Sequence, residues 1–488
     1  MVHIADPLTL WASVILICVV MGTCLLVGIA FLRRWQQIRY IRYVHDLKRR
    51  FRPLLARILA GERSPAGVAA LQALGLADLE LLLDPLFSKR KLPERCLAFL
   101  QSLCAELGLI GAWQARLANL PSMASHSAGQ GKQNDPSGRA AMRHLLRAQS
   151  IRNLGTIRHR PSWPLLAGAL DDRHPDIQLV ALRALSAVGA PESFPVLRER
   201  LNAVVRGDST SPPLQALRAA LASFDLICVP SLLPSLSHPD RQIRLQASEI
   251  LRTIVWREAG CRPDFVLTPE LLSPALTELL VAGLPGDNSA EIRARSGEVL
   301  VFVADARADA ALHQLLSDPQ WFVRLRTVRA VARLPQSCSP LLPDIRRSLH
   351  DSHWRVREAS VQTLLSLGPK GRLQLFESFL TAPDHAACEQ IAEVIEGAGL
   401  VSSLVEKYGA GTTGLEALVV EQLASDAALL GVSDALRALN PEIRQRFLDR
   451  FTPHLQFRKV ALPVESGPEG KPSQNVQRVI EFPPCMAA

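Results

Sequence analysis

Apolar residues recur at helical spacing across residues 66–457, in short segments that each end in a small residue or a helix breaker, and strand-like alternation is almost absent. This pattern predicts an all-α body. One segment departs from it, because residues 7–32 run for 26 positions without a charge. As a helix that run reaches about 35–40 Å, enough to cross a hydrocarbon core of about 30 Å with some tilt. A cleavable leader would begin with basic residues, carry an apolar stretch of about 7–15 and end in a small-x-small site, and this run has no basic start and is too long for such a stretch. A core helix of a soluble domain rarely stays apolar on every face for so many turns. The run therefore predicts a retained single-pass anchor.

The short segments have a period. Taking the end of every second helix gives Gly75, Gly108, Gly155, Gly189, Phe224, Val255, Ala304, Pro335, Gly368 and Gly399, spaced by 33, 47, 34, 35, 31, 49, 31, 33 and 31. Two intervals are long, and each contains an insertion: residues 121–137, a polar Ser/Gly/Gln stretch of linker type, and residues 260–269. Glycine ends a helix by taking the left-handed cap position, and Pro335 ends one by lacking a donor.

A second signal lies upstream of these ends. DPQWFVR at 318–324 matches DSHWRVR at 351–357, with Trp321 against Trp354, and related runs occur at 287–293, 238–244 and 174–178. An acid in the tight turn predicts a cap for the following helix, and the Val or Ile predicts a core contact. On these residues the chain resembles the HEAT-repeat family, in particular its short bacterial form with D-x-x-x-x-[VI]-R-x-x-A in the second helix. Ser296, Thr327 and Ser360 stand where that form favours Ala. The resemblance covers residues 66–400 and implies a HEAT-like α-solenoid of about ten helix pairs. It also implies that Arg244, Arg293, Arg324 and Arg357 form a ladder with the turn acids of neighbouring units. No T-P-L-H or W-L-G-Y pattern points to ankyrin or tetratricopeptide arrays. The full organisation expected is an anchor at 1–32, a basic juxtamembrane helix at 33–60, first helical repeats at 61–120 and a flexible linker at 121–138. The repeat solenoid follows at 139–400, then capping helices at 401–457 and a disordered tail at 458–488, within which residues 476–482 could dock as a short peptide.

Charge changes the picture in one place. The chain carries a formal +9 and a pI near 9.3, but residues 33–57 alone hold +8, and everything after them is close to neutral at +2. That balance argues against nucleic acid as a partner. Arg33, Arg34, Arg39, Arg42, Lys48, Arg49, Arg50 and Arg52 follow the apolar run, and no basic residue precedes it, so the amino terminus is expected outside and the body in the cytoplasm. Two readings of these residues stand, topology alone or contact with anionic lipid. Trp11, Trp35, Tyr40 and Tyr43 suit the two interfacial belts. The nine cysteines show no CxxC spacing and an odd count, as expected of reduced thiols.

Chemistry-bearing motifs are sparse. His174-Pro175-Asp176 and His238-Pro239-Asp240 fall in repeat turns, and His350 with His353 lacks a third metal ligand at suitable spacing. No Walker loop, G-x-S-x-G, H-E-x-x-H or dinucleotide fingerprint occurs. No cofactor, metal or catalytic residue is therefore expected. The densest positive patch of the body comprises Arg326, Arg329, Arg333, Arg346, Arg347 and Arg355, the first three at i, i+3 and i+7 on one helix face. It reads either as a solvated face or as a groove for an acidic peptide or phosphate-bearing partner, since second helices of stacked repeats line the concave surface. The expected function is a membrane-anchored, cytoplasm-facing scaffold for unidentified protein partners. A bacterial inner membrane is the expected site, with an exopolysaccharide, secretion or other envelope assembly as client. The alternatives are a HEAT-like enzyme of bilin lyase or DNA glycosylase type, and a sensor of anionic lipid or envelope state acting through the juxtamembrane segment.

Overall fold

The computed structural model describes residues 7–59, 65–87, 94–118, 137–208, 211–262, 264–333, 340–381, 385–426 and 429–451, together with two short strands. Pro335, most of the expected linker and nearly all of the expected tail lie outside the described residues. In the tail, Val460–Ala461 pairs antiparallel with Val479–Ile480. The remaining described elements are helical, in two units divided between Ala220 and Leu221.

The first unit opens on one helix, Pro7–Leu59, of 53 residues. The anchor and the basic juxtamembrane segment, read from the sequence as separate elements, are continuous. Nothing interrupts them, because no glycine lies between Gly28 and Pro53, and Arg, Gln, Leu and Ile all propagate a helix readily. The two halves differ in surroundings. Leu16, Val20, Leu25, Val27 and Phe31 are more than half exposed, whereas Leu47, Leu55 and Ile58, on one face, are buried against the next helices. Tyr43 shares a hydrogen bond with Asp78 at the start of the Leu76–Phe87 helix, and this pushes its phenol up from the usual value. The Pro7–Leu59 helix is long and apolar enough to cross a membrane. Two pairs of short helices, bent by 116° and 76°, reach that threshold only when each pair is taken together. Their Leu71, Leu79, Leu83, Leu100, Leu103 and Trp113 are buried within the protein.

Further along the first unit, Gly155 corrects one boundary. It lies inside the Ser137–Thr156 helix instead of ending it. A Cβ there would meet Ala184 Cα and Cβ at 2.7 Å, so this glycine permits close approach of the Pro175–Val188 helix. Gly189 does end its helix as expected, at φ 61°.

In the second unit, Ala306–Leu316, Leu342–Arg347 and Pro369–Thr381 form one layer of first helices. Arg241–Cys261, Ala290–Leu300, Trp321–Val331, Trp354–Ser366 and His385–Gly397 form the layer of second helices, each packed on the next. Gly368 and Gly399 take left-handed caps at φ 75° and 69°. Val255 is not a helix end, since the helix continues to Cys261. The insertion that follows is folded into the core: Phe265 and Leu267 are buried, and Leu267 exchanges backbone hydrogen bonds with Phe302 and Ala304. Each fully buried Leu in these layers contributes about 1.5–3 kcal/mol through the hydrophobic effect.

The turn edge of this unit carries the arginine ladder. Arg244 donates to Asp287 at 2.8 and 3.2 Å, Arg293 to Asp318 at 2.7 and 3.1 Å, and Arg324 to Asp351 at 2.6 and 2.7 Å. Each arginine also donates to a backbone carbonyl of its own turn, His238, Asp287 and Asp318 respectively. The turn acids do not all cap in the manner read from the sequence. Only Asp240 is itself an N-cap residue, accepting from Gln242 N–H. Asp287, Asp318 and Asp351 stand earlier and accept from the N–H two residues on, Ser289, Gln320 and His353. One carboxylate thus closes its own turn and receives the preceding repeat's guanidinium. The last arginine, Arg357, donates to Gln390 at 3.1 Å.

Candidate protein-interaction face

The broad face of the second-helix layer carries a different set of charges. Arg326, Arg329 and Arg333 are all exposed on the Trp321–Val331 helix and the turn that follows it. Arg326 approaches Glu298 at 3.8 Å, and the Arg333 guanidinium lies 5.1 Å from the Trp256 ring centroid. Arg329 has no ion pair with any described residue.

Beside them lies an ion network that sequence reasoning missed. Arg252 pairs with Glu249 at 2.7 Å and approaches Glu298 at 3.6 Å, while Arg295 reaches Glu249 at 2.8 Å. These side chains come from two second helices and are mostly buried. Burial pushes the Glu298 carboxyl up, and Arg252 and Arg326 only partly oppose that. Burial likewise pushes the Arg295 guanidinium down. The i, i+3 spacing of Glu249 and Arg252 was a readable signal, but its crossing to the next repeat was not.

The other three arginines of the expected patch are elsewhere. Arg346 and Arg347 belong to the first-helix layer, where Arg346 reaches Gln374 and Glu377 at 3.4 Å and Arg347 pairs with Asp344 at 2.8 Å. Arg355 sits at the turn end, over the Trp354 and Trp321 rings at 5.2 and 5.9 Å. Trp321 stacks on His353 with centroids 3.9 Å apart. The structure therefore groups Arg326, Arg329 and Arg333 and separates them from Arg346, Arg347 and Arg355. The basic residues that follow the apolar run are also in view: Arg33, Arg34, Arg39, Arg42, Arg49, Arg50 and Arg52 are exposed and Lys48 half-buried, all on the long helix, with Arg39 over the Trp35 ring at 4.7 Å.

A groove lies between the Trp354–Ser366 and His385–Gly397 helices, with a volume of about 630 Å³. Trp354, Glu358, Gln362 and Leu365 line one side of it, and Glu393 and Val394 the other. Among the described residues no group of three or more His, Cys, Asp and Glu side chains could hold a metal ion. The described cysteines, Cys18, Cys24, Cys96, Cys104, Cys228, Cys261 and Cys388, are all free thiols, and burial pushes Cys104 up to about 12.

Comparison with known proteins bears on these repeats. The family model described as HEAT repeats matches residues 139–211 and 311–396, so these stretches are HEAT repeats. No curated protein matches the sequence. Among solved structures, the karyopherin Kap121p bound to the SUMO protease Ulp1p is similar at 13% identity, over 79% of this chain and 44% of that one, with a TM-score of 0.38. The Pds5–Scc1 complex is similar at 13% identity, over 84% of this chain and 70% of that one, with a TM-score of 0.29. Human deoxyhypusine hydroxylase in complex with glycerol is similar at 16% identity, over 58% and 93%, with a TM-score of 0.22.

Proposed function

We propose that this HEAT-repeat chain is a membrane-tethered scaffold whose body faces the cytoplasm and holds protein partners on the face bearing Arg326, Arg329 and Arg333. The observation that carries the reading is the continuity of the Pro7–Leu59 helix: its exposed apolar half is the anchor, and its last turns are buried with the first repeats. An anchor joined to the first repeats without a break in the helix raises a partner's local concentration at the membrane. Orientation rests on the basic residues after position 32. A helix standing across the bilayer carries residues 48–52 about 25–30 Å beyond Leu32, several Debye lengths out, which leaves Arg33, Arg34, Arg39 and Arg42 as the residues placed for lipid headgroups.

On the arginine face the partner is an acidic peptide or a phosphate-bearing segment. Crosslinking and pulldown from native membranes tests this by comparing the wild type with the combined Arg326→Glu, Arg329→Glu and Arg333→Glu variant. Loss of captured partners is expected, and an unchanged partner set overturns the arginine face. A topology reporter fused to the carboxyl terminus is expected to read cytoplasmic, and a periplasmic or extracellular signal overturns the orientation.

A further inference from the structure

The groove between the Trp354–Ser366 and His385–Gly397 helices differs in sign from the arginine face one repeat earlier. Trp354, Glu358, Gln362 and Leu365 follow one another at i, i+4, i+8 and i+11, so a single face of the first of these helices forms one wall. Glu393 and Val394 stand on the opposite wall. Among the described residues, Glu358 and Glu393 are the charged side chains lining the groove, and both are carboxylates. Neither makes an ion pair with a described residue; Glu358 only accepts a long 3.5 Å bond from Gln362. Two arginines of the same helix are already engaged. Arg357 donates to Gln390 and to its own turn, and Arg355 lies over Trp354 at the turn end. Trp354 is nonetheless 51% exposed, an unusual position for so large an apolar surface.

We infer that this groove is a docking site for a basic, aliphatic peptide segment of a partner protein. Its cationic side chains lie against Glu358 and Glu393, and an apolar side chain between them rests on Leu365 and Val394, with Trp354 closing the turn end. Charge complementarity decides the class: the carboxylates repel an acidic segment, and the leucine, valine and tryptophan contribute only if an apolar side chain covers them. The arginine face and the groove, on successive second helices, therefore take segments of opposite charge. The inference rests on the interaction-scaffold reading and deepens it by giving the scaffold a second, differently charged site.

The test uses the full chain in zwitterionic lipid nanodiscs, with empty nanodiscs as the blank. The probes are a fluorescein-labelled octapeptide in which Arg alternates with Leu and its Glu–Leu counterpart, followed by fluorescence anisotropy. The basic peptide is expected to bind at least about tenfold more tightly than the acidic one, and the Glu358→Gln plus Glu393→Gln variant is expected to remove that preference. Trp354→Ala is expected to weaken binding by about tenfold, as loss of an aromatic anchor does. Equal binding of the two peptides by the wild type, or an unchanged preference in the double Gln variant, overturns the inference. Such a failure, with partner capture still lost in the triple Arg→Glu variant, leaves the scaffold reading standing and removes only the groove. Glu393 is exposed and Glu358 half-buried without an ion pair, so the near-isosteric Gln at these positions leaves the repeat packing in place.

Discussion

Arg324 and Arg326 lie two residues apart on one helix and are used in opposite ways. Arg324, with 14% of its side chain exposed, grips the 7%-exposed Asp351 of the next repeat through Nε and Nη2. Arg326, with 45% exposed, approaches Glu298 at 3.8 Å across a face open to solvent. At the turn edge, the guanidinium is a structural part that closes two turns at once; on the broad face, it is a charge presented outward. Exposure and bidentate geometry separate the two roles, and residue type does not. A planar fork held between a carboxylate and a backbone carbonyl has few alternatives, whereas a single contact near 4 Å at a surface is worth little to stability.

The comparison breaks most visibly at Arg324. Arg324→Ala leaves Asp351 with only the His353 N–H and the Asp318 carbonyl without its guanidinium donor in a mostly buried turn, and about 2–4 kcal/mol of stability is expected to be lost. Urea unfolding of the full chain, followed by the fluorescence of Trp321 and Trp354 beside that turn, measures it. A loss below about 0.5 kcal/mol, the range of ordinary surface changes, would remove the ladder's structural role. Arg324→Lys sharpens the point, because it keeps the charge and loses the fork. It is expected to cost about 1–2 kcal/mol, between the wild type and the alanine variant.

Acid separates the two regions by sign. Burial pushes Asp351 up, but the Arg324 guanidinium and the His353 N–H push it further down, and it ends below the ordinary aspartate value. Its stabilisation is therefore present above the unfolded value, about 4, and is lost as pH falls through the lower folded value. Glu298 ends above the ordinary glutamate value, so its contribution is present below about 4.3 and is lost as pH rises through the raised folded value. At neutral pH, Asp351→Asn is expected to be destabilising by about 1 kcal/mol and Glu298→Gln neutral or stabilising. The Asp351→Asn deficit closes as the pH drops below about 4. Unfolding midpoints measured from pH 3 to 8 check both signs, and parallel profiles for the two variants would defeat the distinction.

The ladder's residues were legible in the sequence, because an Asp and an Arg recur at a fixed separation every 31–33 residues in the clearest copies, and the resemblance to HEAT repeats implied their pairing between units. The layered helical body follows from the same regularity. Less legible were features that depend on what a residue meets across space. Leu154-Gly155 has the same local form as Val188-Gly189, yet Gly155 is inside a helix, pressed on Ala184, and Gly189 caps one. Arg346 and Arg347 lie closer in sequence to Arg333 than Trp256 does, but it is Trp256 that Arg333 covers, because helix pairs alternate between layers. The groove combines residues 354–365 with 393–394, and no local pattern in either helix announces it.

The smallest expected effect is the most discriminating. Arg329→Ala removes an exposed guanidinium that has no ion pair with any described residue, and the underlying Thr327, Val328 and Ala330 are buried by other contacts. Stability is expected to stay within about 0.5 kcal/mol of the wild type. If Arg329 belongs to a presented face, the same substitution reduces capture of an acidic or phosphate-bearing partner while the urea midpoint stays still. Arg324→Ala moves the midpoint and reduces capture only as far as the fold is lost. Measuring both quantities on both variants therefore distinguishes an arginine that builds the repeat from one that the repeat displays, and an Arg329→Ala variant that lost stability as Arg324→Ala does would put both arginines in one structural class.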